Sequence, residues 1–266
     1  MPDFRYGLGR VPSKSHDGAH SVDQLLSMID AGSAVPVTWV DPVVLDQGQT
    51  PHCVGFGCAG FIACAEAGAA ADPTVANATG DAIYAAAKVI DGEPDAQDGS
   101  SVHTGAQVLK NMRVIDAYAF GTMAQAKAWI EQHGPVVIGT RWDYGMEQPD
   151  ASGYVHPDGN SAGGHCTLLH GQVSPQPGAT ALDNRGRNSW GRGWGLDGDY
   201  LITDGDLANI SAADGEFMMA VKFTKPAPPA PTPTPPIPTP PACDRRTILC
   251  WLEAAEAWVK HLKSLL

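Results

Sequence analysis

Apolar and polar positions follow two different periods along the chain, and the period changes about halfway. In the first half, apolar residues such as Met123, Ala126 and Ile130 recur at helical spacing, which places them on one side of a helix. In the second half, short β-rich runs beginning with 136–140 alternate with Gly, Asp and Pro turns as far as Phe223, a pattern typical of antiparallel strands. The sequence therefore predicts an α+β fold, in which a helical half packs against a twisted, barrel-like antiparallel half.

Capping residues and helix breakers mark several of the predicted helices. Ser21 with Gln24, and Thr122 with Gln125, have the spacing of capping boxes, in which each side chain bonds the other residue's backbone N–H. A Gly-Pro pair after residue 133 stops the helix that follows Thr122. The predicted helices span 21–30, 54–69, 81–89, 102–112 and 122–133.

The two ends of the chain differ from its middle. Residues 1–34 hold one short helix and are interpreted as an N-terminal structural arm in preference to a propeptide, because nothing marks a cleavage site. Residues 225–242 are rich in proline, threonine and alanine, which predicts a stiff polyproline II linker. An SH3-type ligand is the weaker interpretation of this run, since no basic residues flank it.

Residues 243–266 carry a continuous apolar stripe at helical spacing. A single amphipathic helix on a long linker cannot bury such a stripe by itself. We therefore expect the helix to dock on a protein partner or to self-associate. A membrane surface is the alternative that Trp251 and Trp258 favour.

Composition excludes some classes of function. The net charge of −12 argues against a nucleic-acid partner. No run approaches the roughly 18 apolar residues of a transmembrane helix, and the polar residues 1–13 do not form a standard signal peptide. The expectation is a soluble protein, cytoplasmic by default or released or particle-associated by another route. Six cysteines in 266 residues are too sparse for a disulfide scaffold.

Candidate chemistry centres on Cys53. Gly48 and Pro51 interrupt a loop just before it, and the apolar helical run follows at once, so Cys53 is predicted to lie at a helix N-terminus. The positive end of the helix dipole favours the nucleophilic thiolate form. Gln47, six residues earlier, could donate its amide N–H to a developing oxyanion beside the Cys53 backbone N–H.

Three segments in order resemble the motifs of the papain-like cysteine peptidases. Segment 47–53 reads Gln-Gly, four residues, Cys; segment 163–165 reads Gly-Gly-His; and segment 188–195 reads Asn-Ser-Trp-Gly, two residues, Trp-Gly. The Asn-Ser-Trp-Gly segment is the most specific of the three. The resemblance covers about residues 35–224 and implies a peptidase domain with the two-lobed papain-like fold.

The chain also departs from the family's pattern. Segment 50–54 reads Thr-Pro-His-Cys-Val where the family has Cys-Gly-Ser-Cys-Trp, so the first cysteine of the usual disulfide is missing. His165 and Asn188 are farther apart than usual, and residues 174–178, rich in proline and glycine, are predicted to form an enlarged turn that absorbs the difference.

The resemblance assigns catalytic roles to four residues. Cys53 is the nucleophile, His165 the base and then the acid, Asn188 the residue that orients the imidazole, and Gln47 an oxyanion donor. Trp190 would shield the imidazole hydrogen bond from water. The implied chemistry requires no metal and no organic cofactor.

Further residues are implied in substrate binding. Gly99 and Ser100 stand where the family pairs with an extended peptide, although a helix N-cap turn explains the same serine and glycine equally well. Val136 and Gly164 border the implied pocket for a substrate side chain, which is expected to be open and apolar. Trp194 is interpreted either as a wall on the leaving-group side of the cleft or as a core aromatic residue.

The resulting hypothesis is a cysteine-type endopeptidase that hydrolyses protein or peptide substrates through an acyl-thioester on Cys53. The same chemistry would serve an amidase or isopeptidase that acts on cell-wall-type cross-links. A third interpretation is a structural or binding component that uses the fold and the C-terminal helix for assembly.

Overall fold

The computed structural model describes residues 4–26, 36–95, 98–178 and 180–222, except for the side chains of Val22 and Leu26. Contacts group Met1–Thr224 as one unit and Lys225–Leu266 as another. The predicted linker at 225–242 and the predicted helix at 243–266 fall outside the described residues and stay predictions.

Helices and antiparallel strands both occur in the described residues, which confirms the predicted α+β class. The helices are α1 (Val22–Leu26), α2 (Cys53–Ala63), α3 (Asn77–Asp91), α4 (Val102–Asn111), α5 (Met123–Gln132) and α6 (Asp204–Ser211), with a 3-10 turn at Tyr144–Met146. The strands are β1 (Val37–Thr38), β2 (Ile115–Gly121), β3 (Val136–Asp143), β4 (Ser161–Val173), β5 (Asp183–Arg187), β6 (Asp199–Ile202) and β7 (Glu216–Lys222).

One antiparallel sheet connects the two halves of the fold. Its strands lie in the order β2-β7-β3-β4-β5-β6, and β1 pairs with β4. Successive residues of a strand point to opposite faces. Along β3, Val137 therefore packs into the cluster that contains the α2 residues, whereas Val136 and Ile138 pack into a second cluster with residues of α5 and α6. The sheet thus separates two hydrophobic cores.

Helix α2 is apolar on all sides, and nearly all of its residues are buried. A helix of this kind needs neighbours all round. Glycines permit the closest of these contacts, because a Cβ on Gly55 would lie 2.2 Å from the Gly80 carbonyl oxygen and one on Gly57 would lie 2.8 Å from the Cys166 sulfur. The first residue of α2, Cys53, is consequently held where α2 meets α3 and β4.

The predicted helix boundaries agree with the structure in α4 and α5, where cap signals are strong. The Thr122–Gln125 capping box forms as predicted, with both reciprocal hydrogen bonds present. The prediction for α2 was too long: the helix ends at Ala63, and Glu66 to Ala69 form a turn with Gly68 at φ +82°. In that conformation glycine is favoured over other residues.

The sequence pattern missed two elements. Strand β2 lies between two helices in the half that was predicted to be helical, and its partner is β7, about 100 residues farther along the chain. Helix α6 is eight residues long and begins at a Thr203 cap, whose hydroxyl accepts a hydrogen bond from the Asp206 N–H. Both elements depend on partners that no local pattern specifies.

Hydrogen bonds of Lys222 join the C-terminal end of α2 to β7. The Lys222 ammonium donates to the carbonyl oxygens of Ile62 (3.3 Å) and Cys64, and the Lys222 backbone N–H donates to Glu66 Oε1 at 3.1 Å. A cation at a helix C-terminus stabilises the carbonyls left without helical partners. Burial raises the pKa of the Glu66 carboxyl to about 7, although Lys222 opposes the shift.

We predict that Glu66 makes the stability of the fold depend on pH. Between the ordinary pKa of 4.5 and the folded value of about 7, the folded chain holds a proton that the unfolded chain has lost. The contribution of Glu66 to stability therefore falls as pH rises through this window. Because Gln cannot ionise, Glu66→Gln should gain stability relative to wild type as pH rises from 5 to 8. Urea unfolding at both pH values measures this difference, and an equal difference at both would contradict the prediction.

Candidate active site

Cys53 is the first residue of α2 and is completely buried, with 0% of its surface exposed. The backbone N–H groups of Cys166, Gly9 and Val54 face its sulfur as hydrogen-bond donors and lower the pKa of the thiol. Cys166 directly follows the predicted base, His165, on β4. The Cys53 sulfur therefore lies beside the His165–Cys166 peptide bond. The sheet and α2 therefore bring the Cys53 sulfur to the His165–Cys166 peptide bond across 112 residues of sequence.

His165 is buried and bonded to Asn188. Its Nε2 lies 2.8 Å from Asn188 Oδ1, and the Ser189 N–H donates to that same oxygen at 2.8 Å. Because the amide oxygen accepts both bonds, the imidazole hydrogen is on Nε2 in the neutral ring. The other nitrogen, Nδ1, then carries the free lone pair, and it is buried without a hydrogen-bond partner. This arrangement suits a base that awaits a proton.

Aromatic rings enclose the imidazole. The indole of Trp190 stacks on His165 with ring centroids 4.7 Å apart and planes 20° apart, and Trp142 meets the imidazole edge-on at 4.9 Å. On its other side Trp190 stacks against Tyr6 at 4.5 Å. Trp190 thus covers one face of the imidazole, and its role in excluding water from the His165–Asn188 hydrogen bond stays a prediction.

Gln47 is held in place from both ends of its amide. Its Oε1 accepts the Ser189 hydroxyl at 2.6 Å, and its Nε2 donates to the Thr50 carbonyl at 2.7 Å and to the Gly7 carbonyl at 3.3 Å. The Gly7 carbonyl oxygen also accepts from Trp190 Nε1 at 3.3 Å. The Gly7 carbonyl oxygen therefore already accepts a hydrogen bond from the Gln47 amide, which is predicted to donate to the oxyanion.

That carbonyl belongs to a segment that covers the site. We call residues 4–11 the strap. Gly9 and Arg10 donate their N–H groups to the Gly164 carbonyl at 3.1 and 3.0 Å, and the Ser100 N–H donates to the Gly9 carbonyl at 2.9 Å. A further bond, from the Val11 N–H to the Ser100 carbonyl, measures 2.9 Å. The strap thus lies in extended form between the loop before α4 and the start of β4.

Close approach explains the glycines of the strap. A Cβ on Gly7 would lie 2.0 Å from the Thr50 carbonyl oxygen, and one on Gly9 would lie 2.2 Å from the Pro51 carbonyl oxygen. Across the cleft, a Cβ on Gly99 would lie 1.6 Å from the Gly9 carbonyl oxygen. Backbone atoms cannot yield by such amounts, so a side chain at any of these positions would force the strap away.

The residues predicted to bind substrate fall into two groups. Gly99, Ser100 and Gly164 do contact an extended backbone, which here is the strap, while the neighbouring Ser101 caps α4. Val136 and Trp194 are instead buried in the second core, where the Trp194 N–H donates to the Glu147 carbonyl at 2.7 Å. The pocket prediction for Val136 and the cleft-wall interpretation of Trp194 are therefore corrected.

The covered pair is uncharged at neutral pH. Burial raises the pKa of the Cys53 thiol to about 12, although the surrounding N–H groups lower it in part. Burial also lowers the pKa of His165 to about 4, against the Asn188 hydrogen bond that raises it. The helix N-terminus was expected to favour thiolate, but loss of solvent outweighs that effect while the strap is in place.

No local sequence signal connects the strap with the site. Nothing near Gly7 or Gly9 in the sequence links them to the loops at 47–52, 99–100 and 164. Among residues 4–26, 36–95, 98–178 and 180–222, no cluster of His, Cys, Asp or Glu side chains is arranged to hold a metal ion. Within the same ranges no helix is long and apolar enough to cross a membrane.

We predict that displacing the strap activates the thiol. The branched side chain in Gly9→Val cannot fit against Pro51, so solvent should reach Cys53 and lower its pKa from about 12. More thiolate is then present at pH 7, and alkylation by iodoacetamide should accelerate by at least about 10-fold, with half-maximal rate at a lower pH. Mass spectrometry of the adduct over a pH series measures both effects.

Val11→Ala is the matched control for this measurement. Val11 lies in the same segment and is 47% exposed, and alanine keeps its backbone hydrogen bond to Ser100. Its alkylation rate should match wild type. Equal rates in Gly9→Val and wild type, or a faster rate in Val11→Ala alone, would contradict the assignment of the strap as the barrier.

Solved structures similar to this chain are cysteine proteases. Procathepsin B S9 from Trypanosoma congolense has 14% identity over 82% of this chain and 87% of its own (TM-score 0.56), and xylellain from Xylella fastidiosa has 15% identity over 84% and 99% (0.54). Procathepsin L 3 of Tenebrio molitor has 15% identity over 82% and 77% (0.51). No protein-family model and no curated protein sequence matches. The chain therefore has the papain-like cysteine protease fold.

Proposed function

We propose that the chain is a cysteine-type peptidase that hydrolyses peptide bonds through an acyl-thioester on Cys53. The observation that carries this proposal is the His165–Asn188 hydrogen bond, which leaves His165 Nδ1 as a free base. The next residue, Cys166, places its backbone N–H beside the Cys53 sulfur. A thiol at a helix N-terminus with an oriented imidazole is the general arrangement for nucleophilic catalysis by cysteine.

In the first half of the reaction, His165 Nδ1 takes the thiol proton and the Cys53 sulfur attacks the carbonyl carbon of the scissile bond. The carbonyl oxygen becomes an oxyanion, which accepts hydrogen bonds from Gln47 Nε2 and the Cys53 backbone N–H. The C–N bond then breaks, and the leaving amine takes the proton from His165. The acyl group remains on sulfur as a thioester.

In the second half, His165 Nδ1 removes a proton from water as the water oxygen attacks the thioester carbonyl. A new C–O bond forms, the C–S bond breaks, and the sulfur recovers its proton from His165. Asn188 stays bonded to Nε2 throughout and stabilises the imidazolium form. Trp190 keeps water from competing for that bond.

The covered cleft adds a requirement to this mechanism. The Gly7 carbonyl oxygen accepts a hydrogen bond from Gln47 Nε2, so a substrate carbonyl can reach that donor only after the strap has moved. Uncovering also returns solvent to the pair, which favours transfer of the thiol proton to the imidazole. The enzyme described here is thus the inactive form of the proposed peptidase.

We predict that a peptidyl vinyl sulfone labels Cys53 in the full-length Gly9→Val chain, in which the strap is displaced. His165→Ala in that background should abolish the label and lower kcat/KM on peptide substrates by about 100-fold or more, because it removes the base. Peptide mapping locates the adduct, and parallel assays with peptide, isopeptide and simple amide substrates identify the bond that is cleaved.

His156→Ala is the control for loss of a histidine. His156 is a surface residue that pairs with Asp150 at 2.9 Å, so its removal should leave labelling and turnover unchanged. Labelling that persists in His165→Ala, or that spreads over Cys58, Cys64 and Cys166, would contradict the proposed pair. Labelling without cleavage of any substrate would contradict hydrolysis.

A further inference from the structure

Asp199, the first residue of β6, carries a carboxylate that is almost completely buried, with 1% of its side chain exposed. Its Oδ2 accepts a hydrogen bond from Arg185 Nε at 2.6 Å, and its Oδ1 lies 2.6 Å from Arg187 Nε and 3.4 Å from His170 Nε2. Arg187 lies directly opposite Asp199 in the β5–β6 pairing. A buried carboxylate is costly without such partners. Asp199 therefore joins β4, β5 and β6 at one point.

The charges around Asp199 keep its carboxyl ionised. Burial by itself raises the pKa, but the neighbouring imidazole and the two guanidinium groups more than offset burial and hold the pKa of Asp199 below its ordinary value of 3.8. A second carboxyl, on Asp41, has a side chain that is 0% exposed and lies 3.4 Å from Arg187 Nε. Burial raises the pKa of Asp41, although Arg187 opposes the shift. Asp199 is therefore the firmer anionic partner of Arg187.

Carbonyl oxygens complete the surroundings of the Arg187 guanidinium. Nη1 donates to the carbonyl oxygens of Val43 and Asp197, at 3.3 Å each, and Nη2 donates to the carbonyl oxygen of Asp41 at 3.4 Å. The planar guanidinium can make these bonds and face a carboxylate at the same time, which an ammonium group cannot. Together the contacts hold Arg187, the residue directly before Asn188, in one position.

Asn188 lies between two points that Asp199 and Arg187 hold. Arg187 precedes it in the chain, and its own backbone N–H donates at 2.9 Å to the carbonyl oxygen of Gly198, the residue directly before Asp199. The Asn188 amide itself is held through Oδ1, which accepts from His165 Nε2, whereas Nδ2 is buried without a hydrogen-bond partner among the described residues. The backbone around Asn188 therefore determines where its amide oxygen points.

We propose that Asp199 is a positioning residue of the active site, which together with Arg187 fixes the backbone around Asn188 and thereby aligns Asn188 Oδ1 with the imidazole. Asp199 touches no reacting atom and acts through Asn188. A displacement of about 1 Å can lower a rate by about 100-fold, so loss of this carboxylate should reduce turnover without reducing substrate binding. This assignment rests on the proposed peptidase function and adds a residue to the same site.

The first test measures alignment without catalysis. In the full-length chain at neutral pH, the uncharged His165 ring carries its hydrogen on Nε2, bonded to Asn188. In Asp199→Asn, exchange of this hydrogen with water should accelerate by at least about 10-fold relative to exchange of the β3 amide hydrogens, because the ratio to core amides cancels any change in global stability. NMR of isotope-labelled protein measures both rates, and the His165 signal is the one that disappears in His165→Ala.

The second test measures turnover in the full-length Gly9→Val background, in which the strap is displaced. Asp199→Asn should lower kcat on a peptide substrate by at least about 10-fold and leave KM within about 2-fold. In a chain that also carries Asn188→Ala, the same Asp199→Asn change should lower kcat by less than about 2-fold, because Asp199 acts through Asn188. Loss of folded protein would instead lower kcat by equal factors in both backgrounds.

Asp183→Asn is the matched control. Asp183 is another buried carboxylate, 2% exposed, but it accepts from the Tyr154 hydroxyl at 2.9 Å and the Gln176 N–H at 3.1 Å. Its replacement should leave the exchange ratio and kcat within about 2-fold of the parent chain. Arg187→Lys takes the place of Asp199→Asn if that variant unfolds. It keeps a cation but loses the guanidinium contacts, so it should change both measurements in the same direction.

The two tests separate failure of the positioning role from failure of the peptidase. An unchanged exchange ratio in Asp199→Asn, the same changes in Asp183→Asn, or equal losses of kcat with and without Asn188 would overturn the positioning role and leave hydrolysis standing. A selective gain in exchange of the His165 hydrogen, together with no cleavage of any peptide by the Gly9→Val chain, would support the alignment role of Asp199 and overturn the proposed function.

Discussion

Helix α2 is apolar on all sides and must be buried on all sides, and this requirement determines how its neighbours pack. Its apolar surface must be covered by α3, α4 and the sheet, and glycines at Gly55 and Gly57 let those neighbours approach closely. Once the helix is held there, its first residue, Cys53, lies at the junction between the helical half and the sheet. The strand register then brings His165 opposite Thr140 on the central strands, and the turn after β5 brings Asn188 to the imidazole.

The same burial that positions the pair also suppresses it. Three effects act on the Cys53 thiol: desolvation raises its pKa, and the nearby N–H groups and the Arg10 charge lower it. Desolvation is the largest, because Cys53 is completely buried.

A buried carboxylate anchors the strap that covers Cys53. Glu216 binds residues from two points of the N-terminal segment, Arg10 and His16, and therefore helps to hold this segment against the sheet. The energy of such a pair depends on both partners remaining together in a place with little solvent.

The α+β class, the capped helices α4 and α5, and the segments that contain Cys53, His165, Asn188 and Gln47 can be predicted from the sequence, because periodicity, caps and motifs are local properties. Other features depend on tertiary contacts: β2 pairs with β7, Val136 and Trp194 belong to the core, and the strap covers Cys53 while Arg10 pairs with Glu216. These features join residues up to 206 positions apart. Their physical basis is close backbone approach and the pairing of buried charge, and neither leaves a periodic pattern along the chain.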